Sequence, residues 1–177
     1  PATPNDLLVY IIDHLKVIGR DIARTETEKY RAYWNEDTQG LSKPKKEETC
    51  SGFLAEDLQS RVRPQNLIIT IEHHMARDKE CDIVVLQGPE RLLPIEVKHH
   101  YNRDLWKAWE KQLDQLYATH SKAAGLGIYL VLWSGEGKGR KLPLPPKVLS
   151  RPQNAIELQE ALDSIIPEKD RFRLRVV

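Results

Sequence analysis

Cysteine is scarce. Cys50 and Cys81 are the only two in 177 residues, and no CxxC occurs. A disulfide scaffold is excluded, and both thiols read as reduced, small core residues of an intracellular, cytoplasmic protein. Long hydrophobic runs are missing too. No stretch approaches the ~20 apolar residues of a membrane helix, and none reads as a signal peptide. An excess of one charge is also absent. Lys plus Arg is 27 and Asp plus Glu is 26, a net of +1, so any basic surface must be local. Internal repeats and low-complexity tracts are not found. What is present is a globular composition. Apolar residues make up 40 %, with four Trp and six Tyr, which argues against disorder. The length suits one ordinary domain burying roughly two-thirds of its unfolded surface. The chain opens on Pro1 and closes on Val177 inside an expected strand. It is therefore expected to be one domain of a longer protein.

Periodicity predicts the elements. Leu7, Leu8, Ile11, Ile12, Leu15 and Ile18 recur at helical spacing, predicting helix over 6–33 with Asn5 as cap, either continuous or with the charged stretch after Arg20 as a second, more exposed helix ending near Trp34. Residues 1–34 form an N-terminal helical extension in this reading. Residues 35–46, with Gly40 and Pro44, read as a loop. A helix from about 46 to 63 carries Leu54, Leu58 and Val62 on one face and stops at Pro64. The period then changes to that of strands at 67–71, 82–86 and 92–98, joined by hairpin-like links. A helix over 103–120, a wholly apolar strand over 127–133, a loop over 134–152, a helix over 155–166 and a strand over 171–177 follow. This order predicts an α/β domain over 46–177, a mixed central sheet flanked by helices.

Asp82 opens the second strand. Glu96 and Lys98 lie two apart on the third, so they share a face while Ile95 and Val97 face the opposite layer. An Asp on the neighbouring strand can reach the same spot. Two carboxylates and a backbone carbonyl are hard oxygen donors of the kind Mg²⁺ or Mn²⁺ prefers. A lysine beside such an ion can orient the attacking water or steady developing phosphorane charge.

Asp82, followed fourteen residues on by Glu96-Val97-Lys98, resembles the PD-(D/E)xK nuclease superfamily. The predicted order of elements from 46 to 133 is similar to that family's restriction-endonuclease-like core. The resemblance implies a metal-dependent nuclease cleaving phosphodiester bonds, with DNA the favoured substrate. It implies metal binding by Asp82 and Glu96, help from the Val97 carbonyl, and Lys98 as the catalytic lysine. The family often adds an acid from the preceding helix. Helical phase leaves Glu47 and Glu48 as candidates. The RecB-like branch carries a Gln and a Tyr on the next helix. Gln112, within the stripe Leu105–Trp109–Leu116, matches the Gln, whereas Tyr117 follows it at a different spacing. By analogy with such domains, the protein is expected to serve as an effector in a larger bacterial antiviral defence protein and to self-associate. The alternative is an inactive nuclease-fold module that binds nucleic acid or protein.

Other signals are weaker. His73-His74 and His99-His100 end two strands, but adjacent strand histidines point to opposite faces, which disfavours zinc. His99 remains a candidate for touching phosphate. The run from Gly137 to Arg151 holds basic residues and no acid. Lys138, Arg140 and Lys141 there are candidates for tracking a phosphate backbone.

Overall fold

The computed structural model describes residues 1–75, 79–137, 139–146 and 149–177. Helix α1 spans Pro4–Ala23. Its cap is Thr3, whose side chain accepts from the Asp6 N–H while Asp6 accepts from the Thr3 N–H, a reciprocal capping box. The expected cap, Asn5, lies inside the helix. The expected continuation to residue 33 breaks into short 3₁₀ turns at Thr25–Thr27 and Lys29–Tyr33. There the Thr27 hydroxyl donates back to the Asp21 and Arg24 carbonyls, competing with helix propagation.

The segment expected as a loop is a hairpin, β1 (Trp34–Asp37) and β2 (Gly40–Pro44). Asp37 accepts from the Gln39 N–H, and Gly40 has φ +109°, a value few L-residues adopt. Helix α2 follows over Glu47–Val62 and buries Cys50, Leu54, Leu58 and Val62.

A five-stranded mixed sheet comes next: β3 (Ile68–Met75), β4 (Lys79–Gln87), β5 (Arg91–His99), β6 (Gly127–Leu132) and β7 (Leu174–Val176), side by side in that order. The first three strands are antiparallel to one another, and β5, β6 and β7 run parallel. The free edge of β3 is partly covered by a side chain. The Gln59 amide donates to the Leu67 carbonyl and accepts from the Ile69 N–H, as a neighbouring strand would. The last strand is shorter than the expected 171–177, because residues 171–173 are in turns.

Two apolar layers sandwich the sheet. On one face α1 and α2 pack on Ile83, Val85, Leu93, Ile95, Val97, Ile128 and Leu130. Helix α1 thus shares one core with the sheet. On the other face lie helix α3 (Ala155–Ile165) and a helix over Trp109–Ala118, packed on Val84, Leu92, Tyr129 and Leu174. The latter is a π-helix, wider per turn than the α-helix expected over 103–120. Its buried residues are Trp109, Leu113 and Tyr117, four apart, together with Ala118. The stripe through Leu116 assumes a period of 3.6, so the wider turn moves Gln112 and Leu116 to the flank, where both are half-buried. Leu113 fills the space left by Gly127. A Cβ there would lie 2.7 Å from its Cδ1.

Candidate active site

β5 is buried from Leu92 to His99. Strand alternation turns Ile95 and Val97 into the α1–α2 layer, leaving Glu96 and Lys98 on the other face. Glu96 is 1 % exposed and Lys98 7 %. Charges this deep are costly unless paired. The Lys98 ammonium donates to the Glu96 carboxylate and, at 3.1 Å, to the Val97 carbonyl. Two further carboxylates approach it: Asp82 Oδ2 at 3.8 Å and Glu47 Oε2 at 3.9 Å.

Each acid is held by its own scaffold. The β4–β5 ladder ends at the pair Ile83–Ile95, so its register sets Asp82 opposite Glu96. Beyond that pair Asp82 replaces the ladder, accepting from the Val97 N–H at 2.7 Å. Glu47 stands in the first turn of α2. Its Oε1 accepts from the His99 N–H at 2.8 Å and from Asn102 Nδ2 at 2.7 Å, which leaves Oε2 toward Lys98. Asn102 is fixed in turn, accepting from the Asp104 N–H. Sequence reasoning missed Asn102; its signal is an Asn-x-Asp turn just beyond the E-x-K strand. Glu48 is exposed, so of the two candidate acids the fold brings Glu47 to the cluster.

Three carboxylates around one ammonium leave a charge of −2 when all are ionised. Burial, with repulsion from Asp82, pushes Glu96 up to about 7 against the pull of Lys98. Burial also raises Asp82, opposed by Lys98. Burial works against the Lys98 ammonium, but Glu96, Asp82 and Glu47 together outweigh it and raise its pKa. Lys98 therefore stays charged, and Glu96 is the group that takes a proton. With Glu96 also ionised, the charge of −2 matches a divalent cation bound by oxygen. Among the described residues, no three His, Cys, Asp or Glu side chains stand close enough to form a ready-made metal centre; Lys98 sits between the acids.

Other candidates fall elsewhere. Gln112 makes no side-chain hydrogen bond among the described residues and is not bonded to Glu96 or Lys98. The Tyr117 hydroxyl donates to the Glu80 carbonyl at 2.6 Å. His99 is buried, its Nε2–H donating to the Lys45 carbonyl at 2.9 Å and its ring stacked on Tyr101. His100 Nε2–H donates to the Arg140 carbonyl at 3.2 Å, and its Nδ1 accepts from the Ser134 N–H at 3.4 Å. Burial lowers the pKa of both imidazoles. Lys141 is exposed, and Arg140 packs on Trp34. Lys138 lies outside the described residues, as do the side chains of His73 and His74.

The family model of DUF8371, a domain of unknown function, matches residues 17–136. The chain belongs to this family. That span runs from within α1 through β6 and into the loop beyond, and includes every residue of the charged cluster. The family's description carries no activity. No match was found among curated proteins or among solved structures. No helix among the described residues is long and apolar enough to cross a membrane.

Proposed function

We propose that this chain is a metal-dependent nuclease domain with a restriction-endonuclease-like core, hydrolysing phosphodiester bonds and favouring DNA. The observation that carries the reading is the buried Lys98 ammonium with Glu96, Asp82 and Glu47 around it, at the end of the central strand. The order α2, three antiparallel strands, helix, parallel strand agrees with the resemblance noted above.

The donor set fits Mg²⁺ or Mn²⁺ in chemical type: three carboxylates and the Val97 carbonyl, all hard oxygens, with a charge deficit of matching size. Asp82, Glu96 and Glu47 would hold the ion, with Val97 contributing its carbonyl. When bound, the ion would supply Lewis-acid charge at the phosphate and lower the pKa of a water. Asp82 is anchored by the Val97 N–H and Glu47 by His99 and Asn102, so two of the acids are oriented before any ligand arrives. The Lys98 ammonium would stabilise charge on the phosphate as water adds to phosphorus and gives its proton to solvent, while the P–O bond to the leaving oxygen breaks and that oxygen takes a proton from solvent.

A second reading is an inactive nuclease-fold module in which Lys98 merely neutralises buried acids. It is favoured by the Lys98 ammonium itself, which bonds the Glu96 carboxylate and the Val97 carbonyl, donor atoms a metal would need. A cleavage panel of single-stranded and duplex DNA and RNA, with Mg²⁺, Mn²⁺ or chelator, separates the two. The nuclease reading expects chelator-sensitive cleavage, lost in Asp82→Ala and reduced at least about 100-fold in Lys98→Ala. Unchanged cleavage in the double variant, or no Mg²⁺ binding by the wild type, would overturn it.

A further inference from the structure

Among the described residues, Arg140 pairs with no acid. No ion pair or side-chain hydrogen bond holds its guanidinium among the described residues, and its Nη1 is buried with no acceptor. The loop does offer one acid, Glu136, but that carboxylate is taken by Arg151 at 2.7 Å and by the Leu142 N–H at 3.0 Å. A buried unsatisfied donor is costly, the more so when charged.

The surroundings are nonetheless built around this side chain. The Arg140 Cζ lies 4.6 Å from the centre of the Trp34 ring, which fixes the plane of the guanidinium. Gly137 also lies against the guanidinium. A Cβ at Gly137 would lie 2.3 Å from Nη2 and 3.2 Å from Cζ, so a larger residue there would displace the guanidinium. The Arg140 N–H donates to the Gly137 carbonyl, and the Arg140 carbonyl accepts from His100. Trp34 reaches this position because β1–β2 is a hairpin, whose exit residue Lys45 is bonded to His99.

The cradle therefore stands beside the carboxyl ends of the parallel strands β5 and β6, bonded through His100, two residues beyond Lys98 in the chain. Crevices at that end of a parallel sheet are where α/β folds bind ligands. A planar guanidinium held on an aromatic ring is suited to forked recognition of phosphate oxygens.

We propose that Arg140, on its Trp34 platform, is a phosphate-binding subsite for a backbone phosphate adjacent to the one cleaved at Lys98. Its placement beside the cleaved phosphate rests on the nuclease reading; its phosphate chemistry does not.

The test is binding of a fluorescent single-stranded oligodeoxynucleotide by the whole chain in EDTA, measured by anisotropy across a salt series. Arg140→Gln should weaken binding about tenfold and reduce the salt slope by about 0.7, the value of one phosphate on a single strand. Arg140→Lys should keep the slope but lose part of the affinity, because it keeps charge without the fork. Thermal melts establish that each variant is folded, and Arg140→Lys serves alone if Arg140→Gln is not. Equal affinity and slope in the glutamine variant would overturn the subsite, as would equal affinity in the lysine variant should only that one fold. Absence of any binding by the wild type would overturn it too. The nuclease reading is judged separately by chelator-sensitive cleavage. Cleavage with no Arg140 effect removes the subsite alone, and Arg140-dependent binding without cleavage removes the reading alone.

Discussion

Glu47 gives both its donor contacts to one oxygen. His99 and Asn102 hold Oε1, and Oε2 is left for the cation beside it. A carboxylate so held needs little reorganisation to accept a metal, and loss of an orienting partner typically costs 10–100-fold in metal affinity. Asn102→Ala should therefore weaken Mg²⁺ binding by about that factor, measured by calorimetry, while a melt shows the fold retained. Glu47→Gln should weaken it at least as much, because it also removes charge. Glu48→Gln should leave it near wild type. A larger effect from Glu48 than from Glu47 would reverse the assignment. Asp82, Glu96 and Lys98 are legible in the sequence because strand alternation forces Glu96 and Lys98 to one face. The choice between Glu47 and Glu48 is not legible. Both lie in the first turn of one helix, and the deciding partners, His99 and Asn102, are about fifty residues away.

At the scale of elements, the departures from the sequence reading share a cause: each depends on a local bond or a distant contact that periodicity does not carry. The β1–β2 hairpin has few apolar residues to alternate, and its turn depends on Asp37 and Gly40. The helix over 109–118 is visible as a helix, but its wider pitch is not, and the pitch decides which side chains face the sheet. Leu113 becomes fully buried, and Gln112 turns to the flank. The contact that fits this phase is Leu113 against the bare Cα of Gly127. Gly127→Ala should therefore destabilise by about 1–3 kcal/mol through overpacking. Leu113→Ala should cost about 2–5 kcal/mol through the cavity it leaves. The double variant should cost less than their sum, since the new methyl enters the space vacated by leucine. Additive urea midpoints would mean that the two side chains do not meet.

For the whole molecule, the sheet divides two apolar cores, and the charged cluster sits at the end of the buried strand β5. Such a cluster contributes little net stability when paired and costs much when one partner is lost, so its charge state couples to folding. The sign follows from Glu96, whose folded pKa of about 7 lies above its ordinary value of 4.5. Below pH 4.5 both folded and unfolded chains hold the proton, and the contribution to stability is complete. Between 4.5 and about 7 only the folded chain still holds it, so this contribution shrinks as pH rises. Acids held below their ordinary pKa, such as Asp6 and Glu136, work in the opposite direction, which makes the comparison with Glu96→Gln the informative one. The wild type, measured relative to that variant by urea unfolding, should lose about 1–3 kcal/mol between pH 4.5 and 8. Mg²⁺ should restore much of the loss at pH 8 and little at pH 5, because the ion competes with the proton for the same oxygens. Asp82→Asn should abolish the Mg²⁺ effect at both values. A Mg²⁺ stabilisation that is independent of pH, or that persists in Asp82→Asn, would place the ion somewhere other than beside Lys98.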